Sequence, residues 1–344
     1  MAACVGIIAN PAAAHDIRRL SGHGSIVDYH EKTRLLRRVL LGLQAVGVTE
    51  ALAMPDHYSL ASAAASASDV RISLRVIEMI CAHNATDSTH AAQVMAREGC
   101  ACIVTLGGDG TNRAVAKGSG ETPLLAISTG TNNVFPRPIE GTVAGLAAGL
   151  FARGLIPEGI AVSATKHLEV IQAENIIESA LVDIAVSNAP FLGALAITDT
   201  ATLSYLWLTQ AAAGSIGLSA IGAHLSPLSR LEDEALLLEL AAPETGTATS
   251  PAITRVLAPI APGLLRWVGV RSWRRLRMGA PVIIDASPCV LSLDGERAIY
   301  LPTGDPPFAI RATWGGPRLL DVQAILDYAA QHGLFIERAE EDAR

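Results

Sequence analysis

Residues 101–112 read ACIVTLGGDGTN, and this stretch decides the fold. Its first six residues form an apolar run, which is typical of a strand buried on both faces of a sheet. Gly107, Gly108 and Gly110 follow that run, just where we expect a helix to begin near Thr111. Glycines at such a turn permit positive φ and let backbone N–H groups approach a ligand. The stretch therefore predicts a phosphate-binding turn at the start of a helix.

Strands and helices alternate upstream of this loop. The β-branched run 5–9 predicts a strand that closes at Asn10, and further strands are expected at 50–53 and 72–76. From Asp28 apolar residues recur with helical spacing, and the basic residues, Lys32 among them, fall off the apolar face. This alternation predicts a doubly wound α/β domain with a parallel sheet and a ligand site beyond the carboxyl ends of the strands.

The pattern changes in the second half of the chain. An Ala/Gly-rich helix at 141–154 is expected to link the halves, and short strand-like runs then predict a mostly antiparallel, β-rich domain interrupted by a helix at 200–213. We therefore predict three parts, which are a nucleotide-binding α/β domain at 1–138, a β-rich domain at 139–315 and a C-terminal helix at 316–344 that packs back on the first domain.

Composition excludes several classes of protein. The net charge of −7 gives no electrostatic reason to bind nucleic acid. Apolar stretches are interrupted before roughly 18 residues, so we expect no stable association with a membrane. Five cysteines without paired spacing suit a reducing compartment, and we expect a cytoplasmic protein. Nine histidines are scattered without a ligand cluster, which argues against a structural metal site.

Asp109 is the carboxylate within the glycine loop. A carboxylate does not attract phosphate, so we expect Asp109 either to hold Mg²⁺ against the phosphates or to take a proton from an attacking hydroxyl. The alternative is a structural role as a helix cap. A second polar loop, residues 128–133, follows the next predicted strand and is expected at the same edge of the sheet.

These motifs carry a family resemblance. Gly107 to Thr111 followed by Gly130-Thr131-Asn132 resembles the signature of the NAD-kinase and diacylglycerol-kinase superfamily. The residues that flank both loops resemble those of the bacterial ATP-NAD kinase-like branch that includes acetoin catabolism protein X. The resemblance implies a doubly wound N-terminal domain, a β-rich C-terminal domain and a nucleotide bound in the crevice between them.

The resemblance also implies which residues form the site. The expected nucleotide-binding residues are Asn10, Gly107, Gly108, Gly110, Thr111, Asn112, Thr131, Asn132, Asn133, Asp183 and Ser215. The expected catalytic residues are Asp109, which is also the expected metal ligand, and Asp294 and Glu296 of a segment that resembles the Asp-Gly-Glu of lipid kinases. Without the resemblance, Asp294 and Gly295 would be read as a hairpin turn.

Three positions depart from the superfamily pattern. Residues 12–14 are alanines where relatives usually carry Ser-Gly with a basic residue, and alanine contacts phosphate less well. Val182 stands where NAD kinases have an Asn that grips a ribose. The stretch 214–219 lacks the tyrosine of the corresponding NAD-kinase region. The acceptor need not be NAD.

We therefore expect a Mg²⁺-dependent kinase that transfers a phosphoryl group from ATP, or from polyphosphate, to a hydroxyl of NAD or a related small acceptor. The alternative is a non-catalytic nucleotide-binding or regulatory protein of the same fold, associated with acetoin catabolism. A lipid kinase ranks third, because the sequence offers no hydrophobic docking helix. By family analogy we expect a homo-oligomer.

Overall fold

The structure, a computed structural model, describes residues 3–10, 28–130, 132–188, 200–241, 254–286, 288–295 and 297–337. The helices are α1 (Tyr29–Ala45), α2 (Leu60–Ala65), α3 (Ala85–Arg97), α4 (Asp109–Ser119), α5 (Gly141–Ala152), α6 (Glu158–Ala161), α7 (Ser219–Ala223) and α8 (Val322–Gln331). The strands are β1 (Cys4–Ala9), β2 (Glu50–Ala53), β3 (Ser73–Val76), β4 (Cys102–Gly107), β5 (Leu124–Ser128), β6 (Val162–Ser163), β7 (His167–Gln172), β8 (Asn175–Ala180), β9 (Asp183–Ser187), β10 (Leu203–Leu208), β11 (Glu234–Leu240), β12 (Thr254–Ala261), β13 (Leu264–Arg277), β14 (Val282–Ile284), β15 (Cys289–Leu293), β16 (Arg297–Leu301), β17 (Phe308–Thr313) and β18 (Leu319–Leu320).

The first sheet has the order β3-β2-β1-β4-β5-β18-β6 and is parallel except for β6. Helices α1, α2, α5 and α8 bury one face of it, and α3 and α4 bury the other. All six residues of β4 are buried, as expected for a strand covered on both faces. The parallel N-terminal domain is confirmed. Its geometry brings the carboxyl ends of β1, β4 and β5 to one edge of the sheet.

The second domain consists of two antiparallel sheets. One has the order β12-β13-β11-β10-β9-β15-β16 and the other β14-β17-β7-β8, with a hydrophobic cluster between them. The predicted β-rich domain is confirmed. The helix predicted at 200–213 is wrong, because a 3₁₀ turn at Thr200–Thr202 leads into strand β10 there. Leu206 and Trp207 of β10 are fully buried on opposite faces of the sheet, and such two-sided burial suits a strand.

Helix α5, which was expected to link the halves of the chain, packs on α1 and the first sheet. Its Ala144, Ala147 and Ala148 belong to the same buried cluster as β1 and β4. Strand β18 and helix α8 return to this cluster after the second domain. The division at residue 138 stays a prediction, and we propose that the first domain extends at least to Ala152.

Glycines allow α1 and α5 to cross in close contact. A Cβ atom on Gly145 would lie 2.1 Å from the carbonyl oxygen of Val39, and one on Gly42 would lie 2.4 Å from that of Thr142. Both distances are far shorter than van der Waals contact, and both neighbours are helix backbone. The two helices can therefore cross this closely only because Gly42 and Gly145 have no side chains.

We predict that Gly145→Val lowers the free energy of unfolding by about 3 kcal/mol, because the helices must separate to admit the side chain. Urea denaturation of the purified variant measures this change. Gly159→Ala is the matched control, since a Cβ atom there would meet nothing within 4 Å. Equal stability of the two variants would show that the helices do not cross at these glycines.

Candidate functional site

A cavity of about 470 Å³ opens at the carboxyl edge of the first sheet. Gly108, Gly110 and Thr111 of the glycine loop and first turn of α4 line it, together with Asn10 from the end of β1. This volume lies in the range of small-molecule binding sites. Four of the predicted nucleotide-binding residues therefore face one cavity.

The glycine loop delivers the N-terminus of α4 to this cavity. Gly108 occupies the N-cap position with an extended backbone, and the helix begins at Asp109. A helix N-terminus attracts anions because its first N–H groups point outward and the helix dipole adds positive potential. A Cβ atom on Gly107 would lie 2.6 Å from the Thr111 side chain, and one on Gly108 would lie 2.8 Å from Asn133 Oδ1. The close fit therefore favours glycine most strongly at position 107, because the Asn133 side chain near position 108 can move aside.

Asp109 ties the two loops together. Its Oδ1 accepts the backbone N–H groups of Val134 at 3.1 Å and of Phe135 at 2.8 Å, and its Oδ2 accepts that of Val134 at 3.2 Å. Asn133 Nδ2 donates to Ser128 Oγ at 2.8 Å within the second loop. The carboxylate therefore holds the second loop against the N-terminus of α4, in addition to any role in chemistry.

Two predicted residues support the loop from behind. Asn112 is fully buried, accepts the Thr105 hydroxyl at 2.7 Å and donates from Nδ2 to the Gly108 carbonyl oxygen at 2.9 Å. Its side chain positions the loop and does not face the cavity, contrary to expectation. Asn10 lines the cavity and donates from Nδ2 to Thr111 Oγ1 at 3.0 Å.

The prediction that Lys32 lies off the apolar face of α1 is wrong. The residue is 1% exposed, and its Nζ donates to the carbonyl oxygen of Asn10 at 3.2 Å. An ammonium group therefore lies behind the end of β1, next to a residue that lines the cavity.

A narrow cleft separates the loops of the first domain from the second domain. Asp109 and Asn132 line one side of it, and Asp183, Asp294 and Gly217 line the other. The structure thus brings together four predicted site residues that are far apart in sequence. Within the described ranges, no three His, Cys, Asp or Glu side chains converge closely enough to hold a metal ion by themselves.

Three predicted site residues remain, of which the structure describes Ser215 alone, and Ser215 is not among the residues that line the cavity or the cleft. Ser215 belongs to a turn two residues before Gly217, where its N–H donates to the Ala212 carbonyl oxygen at 2.9 Å. Thr131 and Glu296 lie outside the described residues, so their predicted roles stay predictions.

Asp294 is enclosed by donors from both domains. Its carboxylate accepts the N–H groups of Leu181 at 3.1 Å, Val182 at 2.7 Å and Asp183 at 3.3 Å, and it pairs with Arg113 Nη1 at 3.1 Å. The residue is 3% exposed, has φ of +51° and lies in the turn between β15 and β16. These contacts give Asp294 a structural role in holding the turn before β9.

Val182 lies on the far side of that turn. It is fully buried in an apolar cluster with Phe135 and Leu181. Its side chain therefore does not reach the cleft, whereas Asp183 beside it does.

Arg113 is a site residue that the sequence analysis missed. Its side chain is 6% exposed and lines the 470 Å³ cavity, and its Nη1 donates to the Leu293 carbonyl oxygen at 2.5 Å as well as to Asp294. Arg113 follows Asp109 by four residues, so both fall on one face of α4. The four-residue spacing from Asp109 is the signal in the sequence by which Arg113 could have been found.

The opposite end of the cavity has an aromatic wall that the sequence analysis also missed. The rings of His57 and His83 stack with centroids 4.0 Å apart and an interplanar angle of 22°, and both residues line the cavity. His83 has φ of +58°, a strained value for a residue with a side chain. Asp87 holds it there by accepting the N–H groups of Ala82 at 2.8 Å and His83 at 2.7 Å.

Asp56 and Asp87 place negative charge in the same cavity. Asp56 accepts the N–H groups of Tyr58 at 2.9 Å and Leu60 at 3.0 Å, and burial raises the pKa of its carboxyl. Among the described residues that line the cavity, Arg113 is the one lysine or arginine. The cavity therefore combines a helix N-terminus, one guanidinium and two carboxylates.

In the part of the chain that the structure describes, no helix is both long enough and apolar enough to cross a bilayer.

Known proteins resemble the chain along nearly all of its length. Residues 5–154 match the family model of the ATP-NAD kinase N-terminal domain, and residues 166–312 match that of the acetoin catabolism protein X C-terminal domain. Acetoin catabolism protein X of Cupriavidus necator is 35% identical over 346 residues, which cover 97% of this chain and 94% of that protein. A putative diacylglycerol kinase from Bacillus anthracis str. Sterne shares the fold, with a TM-score of 0.51 and 12% identity over 93% of this chain and 98% of that one. The chain therefore belongs to the acetoin catabolism protein X family, and its N-terminal part matches the ATP-NAD kinase N-terminal domain.

Proposed function

We propose that this protein is an ATP-dependent phosphotransferase that passes the terminal phosphoryl group to a hydroxyl of NAD or a related small acceptor. One observation carries the proposal, which is the cavity lined by Gly108, Gly110 and Thr111 at the N-terminus of α4. Backbone amides and the helix dipole suit such a cavity to phosphates. The match of residues 5–154 to the ATP-NAD kinase N-terminal domain supports the same assignment.

The narrow cleft is our candidate acceptor site, and because its volume of about 10 Å³ holds about one water molecule, its two walls must separate to admit an acceptor. Asp109, Asn132 and Asp183 line it next to the glycine loop, so an acceptor hydroxyl there would lie beside the donor phosphates. In the reaction, the hydroxyl oxygen forms a bond to the terminal phosphorus while the bond from that phosphorus to the bridging oxygen breaks, which releases ADP. The hydroxyl proton passes to the Asp109 carboxylate.

The alternative to the proton-accepting role is that Asp109 holds a magnesium ion. Mg²⁺ in phosphotransferases is commonly bound by one or two carboxylates, substrate phosphates and water, and Asp109 is the carboxylate of the glycine loop that borders the cleft. The ion would neutralise charge on the phosphates when bound. Asp109 would orient it from the first turn of α4.

A second candidate function is nucleotide binding without turnover. Asp109 and Asp294 both accept backbone N–H groups that hold neighbouring turns in place. A carboxylate that gains a proton becomes a weaker acceptor, so proton transfer to either residue would loosen its own loop. The structural role of both carboxylates is what a regulatory, nucleotide-binding protein would need. Absence of phosphoryl transfer to every tested acceptor would favour that function over an enzyme.

We place the protein in the cytoplasm. All five cysteines are free thiols in the structure, although the sulfur atoms of Cys4 and Cys100 lie 3.4 Å apart. Free thiols in close contact suit a reducing compartment.

We predict that Asp109→Asn lowers kcat for phosphoryl transfer about 100-fold or more, because the amide neither accepts the proton nor holds Mg²⁺ as a carboxylate does, while the affinity for ATP in the absence of Mg²⁺ changes little. Transfer of labelled terminal phosphate to a panel of acceptors that includes NAD measures the rate, and calorimetry measures the affinity. Asp321→Asn is the matched control, because Asp321 caps α8 through the Ala324 N–H at 3.1 Å. ATP binding without transfer by the unmodified protein would support the second candidate, and neither binding nor transfer would reject both.

We predict that His57→Ala weakens ATP binding about 10-fold and leaves tripolyphosphate binding unchanged. The reason is that the imidazole wall offers a stacking surface to a nucleobase, and base–aromatic stacking contributes about 1–3 kcal/mol. Competition calorimetry with both ligands measures the two affinities. His332→Ala is the matched control, since its ring stacks on Tyr328 with centroids 3.8 Å apart, outside the cavity. Equal losses for both ligands would show that the wall does not bind the base.

A further inference from the structure

Arg113 lies where the 470 Å³ cavity, our proposed site for the phosphate donor (the donor cavity), meets the contact between the first and second domains. It lines the 470 Å³ cavity and a neighbouring cavity of about 390 Å³, while its partner Asp294 lines the narrow cleft. Through its ion pair with Asp294, Arg113 thus connects the wall of the 470 Å³ cavity to the wall of the cleft. Its location is therefore the first argument for a role in the reaction.

The hydrogen bonds of Arg113 engage one end of its guanidinium. Among the described residues, the bonds to Leu293 and Asp294 both leave from Nη1. A guanidinium carries five N–H donors in a planar fork, so the donors on Nε and Nη2 can serve a ligand. Asp294 in turn accepts three backbone N–H groups, so its charge is stabilised by more than Arg113 alone.

The charge of the cavity gives an independent argument. Asp56 and Asp87 line it, and both oppose the entry of a triphosphate. Among the described lining residues, Arg113 is the one arginine or lysine that offsets them. Because Asp294 at 3.1 Å already offsets part of that charge, Arg113 acts on a phosphate chiefly through the N–H donors that Asp294 does not use.

We propose that Arg113 binds the terminal phosphate of the donor through Nε and Nη2 while Nη1 keeps its hold on the Asp294 turn. The inference rests on the proposed function and names a residue for it. Arg113 then does two things at once. It stabilises negative charge on the transferring phosphoryl group, as arginines do in other phosphotransferases. It also fixes the acceptor side of the cleft relative to that group.

The test compares the affinities for ATP and ADP by calorimetry. ADP lacks the phosphate that Arg113 is proposed to bind. We expect Arg113→Gln to weaken ATP binding about 10-fold or more and ADP binding less than about 3-fold, since a bidentate charged contact is lost with one ligand only. Arg153→Gln is the matched control, because Arg153 is exposed and donates from Nη1 to the Val46 carbonyl oxygen at 2.9 Å. It should leave both affinities unchanged.

A second variant, Arg113→Lys, is tested as well, because Arg113→Gln leaves Asp294 buried without its cation and can misfold. Lysine keeps the charge but lacks the fork, so we expect an intermediate loss of the preference for ATP over ADP. An unchanged ratio of the two affinities in a folded Arg113 variant would overturn the inference and leave the proposed function standing. Failure of the unmodified protein to bind either nucleotide would reject both.

Discussion

A buried ion pair joins the two domains of this protein. Arg113 extends from α4 in the first domain to Asp294 in the second, with 6% and 0% of the two side chains exposed. Removing one partner of such a pair strands a buried charge, at a typical cost of about 3–5 kcal/mol. Asp294 also holds the turn that leads into β9, so the position of Asp183 in the cleft depends on the same pair.

Carboxylates perform the same structural task on both sides of the cleft. Asp109 accepts N–H groups of the second loop, and Asp294 accepts those of the turn before β9. Each acidic side chain thereby holds a backbone segment in place as a wall of the cleft. Chemistry at Asp109 is consequently coupled to structure, because a proton taken up there weakens the bonds that hold Val134 and Phe135.

The sequence predicted the features that arise from local patterns. The buried run before Gly107 predicted the parallel sheet, and the glycine loop predicted where α4 begins and which end of it lines the cavity. Where the outcome depended on distant partners, prediction failed. Arg113 meets an aspartate 181 residues away, and His57 and His83 follow different strands. The run around Trp207 is apolar on both faces, so its periodicity does not separate a buried strand from a helix.

The positions of the cations bear on the unusual alanines at 12–14. Relatives were expected to carry a basic residue in that loop, and its loss would weaken phosphate binding if no other charge replaced it. Arg113 lines the cavity together with Asn10 and Thr111, and Lys32 donates to the carbonyl oxygen of Asn10. A buried charge acts over longer distances than an exposed one because little water intervenes. The N-terminus of α4 and the N–H donors of Arg113 that Asp294 does not use therefore offer this chain a route to phosphate binding that the usual loop does not provide.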